Sequence, residues 1–221
     1  MFPQKMEEVK RELISFTMLV EGMISKSIQG LIDKNEALLR EVIETDEPRA
    51  NDFDRNIDEA GTVLIAQFEP LAKDLRTALM ILKMNKDLER IADHAVNISE
   101  SAIFLIQRPF LKKPVDDICV MAQASVLMLK DSINAFVNAD AALAKAVFQR
   151  DNTVDQLGDG ILEELTRLIK GEHDGVKRSL NLMRIAHNLE RIADLSTNIC
   201  EEVIYIVEGK DVKHRKITDA S

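Results

Sequence analysis

Leu88-Glu89-Arg90-Ile91-Ala92-Asp93 is written a second time, 101 residues downstream, as Leu189-Glu190-Arg191-Ile192-Ala193-Asp194. The match runs on: Asn97 pairs with Asn198, Ile98 with Ile199 and Glu100 with Glu201, nine identities in sixteen positions between 85–100 and 186–201. A period near 100 residues is too long for a solenoid unit and suits a duplicated small domain. Both copies place Leu, Ile and Ala at helical spacing and set Glu and Asp four apart. The repeat therefore carries a fold and a candidate site together.

Working outward, apolar spacing predicts a long first helix over about 4–45, through Leu13, Phe16, Val20, Met23 and Leu31. The pattern falters at Asp33-Lys34-Asn35, where Asn35 is a ready cap, and Pro48 suits the first turn of a second helix over about 49–69. That helix turns Phe53, Ile57, Ala60, Leu64 and Phe68 inward. A third, over about 71–107, carries Leu75, Leu79, Leu82, Leu88, Ile91, Ala95, Ile98, Ala102 and Leu105. The order then repeats, with helices over about 115–149 and 152–170, a turn using Gly171 and Gly175, and a last helix to about 208. The expected fold is all-α: two tandem homologous three-helix bundles, six helices in all. The first covers residues 1–108, a proline-bearing linker 109–114, the second bundle 115–209 and a basic tail 210–221. The offset is 105 at Asn35-Glu36-Ala37-Leu38 against Asp140-Ala141-Ala142-Leu143 but 101 downstream. The first half thus holds about one extra helical turn between Asp46 and Asp54.

At 100° per residue, Met84, Leu88, Ile91, Ala95, Ile98, Ala102 and Ile106 share one arc. Glu89, Asp93 and Glu100 fall within about 40° of one another and off that arc, flanked by Asn97. Glu190, Asp194, Glu201 and Asn198 repeat the arrangement. The second helix of each half adds a pair, Asp54 with Asp58 and Asp155 with Asp159, again 101 apart. Random placement of 38 acids in 221 residues would give about six i,i+4 pairs, so one pair means only a solvated face. Four pairs preserved at one offset mean more, because like charges at that spacing cost a helix about 0.2–0.5 kcal/mol each. Four carboxylates from two adjacent helices offer hard oxygens to a divalent cation.

Composition narrows the alternatives. With 46% apolar and 30% charged residues, eight Gly, five Pro and no Trp, the chain suits long helices. A net charge of −9 argues against nucleic acid as a partner. Cys119 and Cys200 lack the spacing of a metal or redox pair. Cys200 reads as a buried thiol, and the methionines (Met18, Met23, Met80, Met84, Met121, Met128, Met183) mostly as core filler. No signal segment or 18-residue apolar run is present, so a cytoplasmic location is expected. Gly158-x-Gly160 is too short for a nucleotide loop, and no catalytic constellation is evident, so no enzyme is expected. A carboxylate-bridged metalloenzyme would need a histidine at i+3 and core-facing acids, and a metal-independent helical adaptor is the other alternative. His94 reads as an edge histidine, His187 as solvated and His173 as part of the turn. Arg90 and Arg191 pair with nearby carboxylates or with solvent.

The duplicated motif, with Asn97-Ile98-Ser99-Glu100 and Asn198-Ile199-Cys200-Glu201, Val42-Ile43-Glu44-x-Asp46 and Ile57-Asp58-Glu59-Ala60, resembles the PhoU family of phosphate-uptake regulators. The resemblance implies two tandem three-helix bundles and metal clusters on (D/E)-x-x-x-D motifs, iron first among the candidates, with zinc, manganese, magnesium or calcium as alternatives. Carried over residue by residue, the metal ligands are Asp54, Asp58, Glu89 and Asp93, and Asp155, Asp159, Glu190 and Asp194, with Asn97, Glu100, Asn198 and Glu201 on the rim. It further implies a negative regulator that contacts the phosphate transporter's ATPase subunit and the phosphate sensor kinase, is a homodimer, and is cytoplasmic or peripheral at the membrane. His94 faces Leu195 in the alignment of halves, so the two sites need not be alike.

Overall fold

In a computed structural model of the chain, residues 1–109, 111–169 and 173–210 are described. Among them the chain forms six helical rods and no strand. Rod one is α1 (Phe2–Ile32), with Leu13, Phe16, Val20, Met23 and Leu31 fully buried as the spacing requires. The expected break follows. Lys34 takes a left-handed φ of 54°, and Asn35 caps α2 (Glu36–Glu41) by accepting from the Leu38 amide. A π-helical turn (Val42–Asp46) joins α2 to α3 (Glu47–Phe68), so that all three form the second rod. Pro48 stands in the first turn of α3, where its missing N–H is no loss.

The π turn is where the first half spends its surplus residues. Four added residues overshoot a 3.6-residue turn by about 40°, and a wider turn absorbs the excess. Asp46, buried in that turn, accepts from Lys26 of α1 at 2.7 Å, which fastens the second rod to the first. Phe16 and Phe53 stack across the same two rods with ring centroids 5.5 Å apart.

The third rod, α4 (Ala72–Ile106), buries Met84, Leu88, Ile91, Ala95, Ile98 and Ala102 as expected. Leu79 departs from expectation: it is 42% exposed, on a groove wall. The second half consists of α5 (Lys112–Asn138), α6 (Ala141–Leu168) and α7 (His173–Glu208). Here the helix expected to run over about 115–149 is two helices, and the break expected near 150 is absent. The chain turns instead at Ala139, with φ of 50°, and Asp140 caps α6 by accepting from the Ala142 and Leu143 amides. Gly175, expected in a turn, lies within α7; Gly171, the side chain of His173 and the tail residues 211–221 lie outside the described residues. Of the methionines, Met18 is not core filler but 69% exposed.

Each half packs its three rods on one another, and the halves meet chiefly along α4 and α7. These two helices run antiparallel: Lys83 lies 3.6 Å from Glu202 and His94 Nδ1 lies 2.8 Å from Asn188 Oδ1. A duplicated chain whose equivalent helices meet antiparallel has its halves related by a local two-fold. Leu88 and Leu189, the first letters of the repeated hexapeptide, are both fully buried, and truncating either to Ala would cost about 2–5 kcal/mol.

Candidate metal-binding faces

In each half, the second and third rods turn their acidic residues outward from the core, side by side. In the first half α3 supplies Asp54 and Asp58, and α4 supplies Glu89 and Asp93. Glu89 lies half-buried, and burial, with Asp93 and Asp54 nearby, raises its carboxyl above the ordinary range. Burial likewise raises Asp93, with adjacent His94 opposing. A cation already stands among these acids. Lys86 Nζ donates to both Asp54 oxygens at 3.0 Å and lies 3.3 Å from Asp58 Oδ2. Fully buried Asn85 adds a bond from Nδ2 to Asp54 Oδ1 at 2.8 Å. Burial opposes charge on Lys86, but its bonds to Asp54 and Asp58 hold the ammonium above its usual value.

The second half is built differently. On α6 a third acid, Asp151, precedes Asp155 and Asp159 at the same four-residue step. Burial, then Asp155, Asp194 and Glu190, push the Asp151 carboxyl up to about 6. Its Oδ1 is buried without a hydrogen-bond partner. Asp155 is raised by burial, Asp194 and Asp159. A Cβ on Gly158 would stand 3.8 Å from Glu190 Oε2, so the Glu190 carboxylate lies against α6 beside these acids. The position equivalent to Lys86 is His187, whose Nδ1 is 3.9 Å from Glu190 Oε2. Arg191 pairs with Asp194 at 3.0 Å, whereas its counterpart Arg90 turns to Asp87 at 3.8 Å.

Thus the structure places Asp93 and Asp54 within electrostatic reach of Glu89, with Asp58 joined to Asp54 through Lys86. It places Asp155, Asp194 and Glu190 within electrostatic reach of Asp151, and Asp159 within that of Asp155. The rim residues divide: Asn198 and Glu201 line a groove of about 1120 Å³ between the halves, together with Asp58 and Lys86 of the first half. Asn97 accepts from Ser101 through its backbone, and Glu100 is exposed. Among the described residues, no three His, Cys, Asp or Glu side chains are drawn together tightly enough to enclose one ion.

Tested against a divalent cation, the two faces differ. The second offers hard oxygens, one of them buried without a hydrogen-bond partner, a donor set whose chemistry suits a hard ion once the side chains converge on it. In the first, Lys86 and Asn85 aim their protons at the Asp54 oxygens an ion would need, and it does not fit.

A family profile for the PhoU domain matches residues 13–102 and again residues 118–203. The chain belongs to the PhoU family. The phosphate-specific transport system accessory protein PhoU homolog of Pseudomonas aeruginosa is 34% identical over 217 residues, covering 98% of this chain and 89% of that protein. The homolog of the same description from Aquifex aeolicus is 36% identical over 216 residues, covering 98% and 97%. The crystal structure of PhoU from P. aeruginosa superposes with a TM-score of 0.90 at 33% identity, covering 95% of this chain and all of that one. The phosphate transport system regulatory protein PhoU from Streptococcus pneumoniae gives 0.89 at 26%. Both PhoU copies end α4 or α7 beyond the repeated hexapeptide, so the profile spans both acidic faces of this PhoU-family chain.

Sequence reasoning missed Asp151 and Lys86. Asp151-x-x-x-Asp155-x-x-x-Asp159 is visible by eye, but the offset between the halves shifts from 105 to 101 just there, so Asp151 falls opposite Asp46 at one offset and Ala50 at the other, and a search at 101 alone discards it. Requiring repetition hides Lys86 opposite His187.

Proposed function

We propose that this chain is an accessory regulator of phosphate transport that works by docking and catalyses no reaction of its own. Its named relatives are phosphate-specific transport system accessory proteins, which supports that role. The partners it would meet are the transporter's ATPase subunit and the phosphate sensor kinase, from the cytoplasmic side, with a homodimer as the working form. Among the described residues no helix is long and apolar enough to cross a membrane, which is consistent with a protein that reaches the membrane through a partner.

The observation that carries the metal part of this reading is the second acidic face. Asp155 would hold metal from α6, with Asp151 one turn before it and Asp159 one turn after offering further oxygens at either side, and Glu190 and Asp194 would hold it from α7; iron is the first candidate. A bound divalent cation supplies positive charge there. It would relieve the mutual repulsion that raises Asp151 and Asp155, and so fix the surface a partner meets. Elemental analysis of protein purified without chelators, as wild type and as Asp155→Ala/Asp194→Ala, tests the claim. Stoichiometric metal in the first and its loss from the second is the expected result; negligible metal in both would sink it. Retention of the protein on membranes holding the phosphate transporter, and not on membranes lacking it, tests the docking role.

A further inference from the structure

We infer that Lys86 is a tethered cation that closes the first acidic face, so that this chain takes up divalent metal through its second half first. The inference rests on the metal reading above and goes beyond it, since duplicated acid pairs alone would make the two faces equal.

The geometry is specific. Lys86 Nζ contacts both oxygens of Asp54 and one of Asp58, while Asn85 Nδ2 takes Asp54 Oδ1 and the Asp54 backbone oxygen at 3.0 Å. Donors belonging to the chain itself thus already occupy both oxygens of Asp54, and an ion seated between them must displace the Lys86 ammonium. Lys86 sits one turn before Arg90 on α4, on the wall of the inter-half groove, so its withdrawal has somewhere to go. At the equivalent place in the second half stands His187, 3.9 Å from Glu190, which makes no contact with the α6 acids among those described. Asn85 is replaced there by Ala186. Two substitutions at equivalent positions thus remove the two donors, and the second face holds a further acceptor in Asp151, whose Oδ1 has no hydrogen-bond partner. Among the described residues Arg191 of the second face is paired with Asp194 of its own helix.

Titration of chelator-stripped full-length protein with Mn²⁺, followed by calorimetry and by the electron spin resonance of free Mn²⁺, tests this. Wild type should show one tight phase, lost in Asp155→Asn/Asp194→Asn. Lys86→Met should add a second phase about tenfold or more tighter than any first-half binding in wild type. That new phase should vanish in Lys86→Met/Asp54→Asn. Lys86→Gln, of similar length and uncharged, guards against a packing artefact of Met, and melting curves confirm that each variant folds. Two equal phases in wild type, unchanged in Lys86→Met, would overturn the inference and leave the metal reading standing. A new phase that survives Asp54→Asn would overturn it by placing the ion elsewhere. No Mn²⁺ bound by any variant would overturn both.

Discussion

Asp151 is a carboxylate held where a carboxylate is uncomfortable. Its folded pKa, about 6, lies above the unfolded value of 3.8. Below pH 4 the group is protonated in both states and costs nothing. As pH rises from about 4 to 6 the unfolded chain releases the proton first, so metal-free stability falls through that window and stays lower above it. Asp151→Asn should therefore stabilise the chelator-treated protein at pH 7 by on the order of 1–2 kcal/mol, after discounting for partial exposure, and by almost nothing at pH 4. Urea unfolding at both pH values measures this; parallel losses at the two would contradict it. Cys200 shows how much of the residue scale was legible: its place on the apolar arc marked a buried thiol, and burial pushes it up to about 12. The repeated acids were legible for the same reason, through periodicity and offset. Lys86 was not, because repetition finds what two halves share and is blind to where they differ, and Asp151 was not, because it stands where the offset between the halves shifts.

At the scale of elements, the rods follow from apolar spacing, but their breaks follow from local chemistry that spacing does not register. Ala139 through Val147 keeps a helical rhythm across the real turn, and only the Asp140 cap marks it. The π turn is likewise invisible to a pattern read at 3.6 residues per turn. Ala139 occupies the left-handed region as the residue after α5, with its amide donating to Ala135 and Phe136. An L side chain there costs about 1–2 kcal/mol, part of which glycine recovers. Ala139→Gly should raise the melting temperature by about 1–3 °C, and Ala139→Val should lower it. A scan showing the reverse order would mean that the turn is not held as described.

For the whole molecule, the α4–α7 seam decides whether the halves act together. Its central polar tie is His94 to Asn188, flanked by Lys83 with Glu202 and by Arg76 over the Tyr205 ring. Burial lowers the His94 pKa, with Arg90 and His187 acting in the same direction and the Asn188 bond and Asp93 opposing. A histidine whose folded pKa is depressed loses stability as pH falls through its unfolded value near 6.5, because the unfolded chain binds the proton more readily. His94→Leu, which copies the residue at the equivalent position 195, should cost about 1–2 kcal/mol at pH 7.5 by leaving Asn188 Oδ1 without a partner. The cost should shrink at pH 5, where wild type has already lost part of that advantage. Equal costs at both pH values would show that the tie is indifferent to protonation.

The antiparallel seam has a consequence of another kind. A body with two-fold symmetry can seat a two-fold partner on both arms at once, provided both arms present the same face. Here one arm ties Asp54 and Asp58 to a built-in ammonium, whereas Asp151, Asp155 and Asp159 of the other meet no cation among the described residues, so rotation no longer brings the molecule onto itself electrically. On the order of metal uptake inferred above, the chain thereby acquires a direction, with one arm that would answer to metal and one already answered from within.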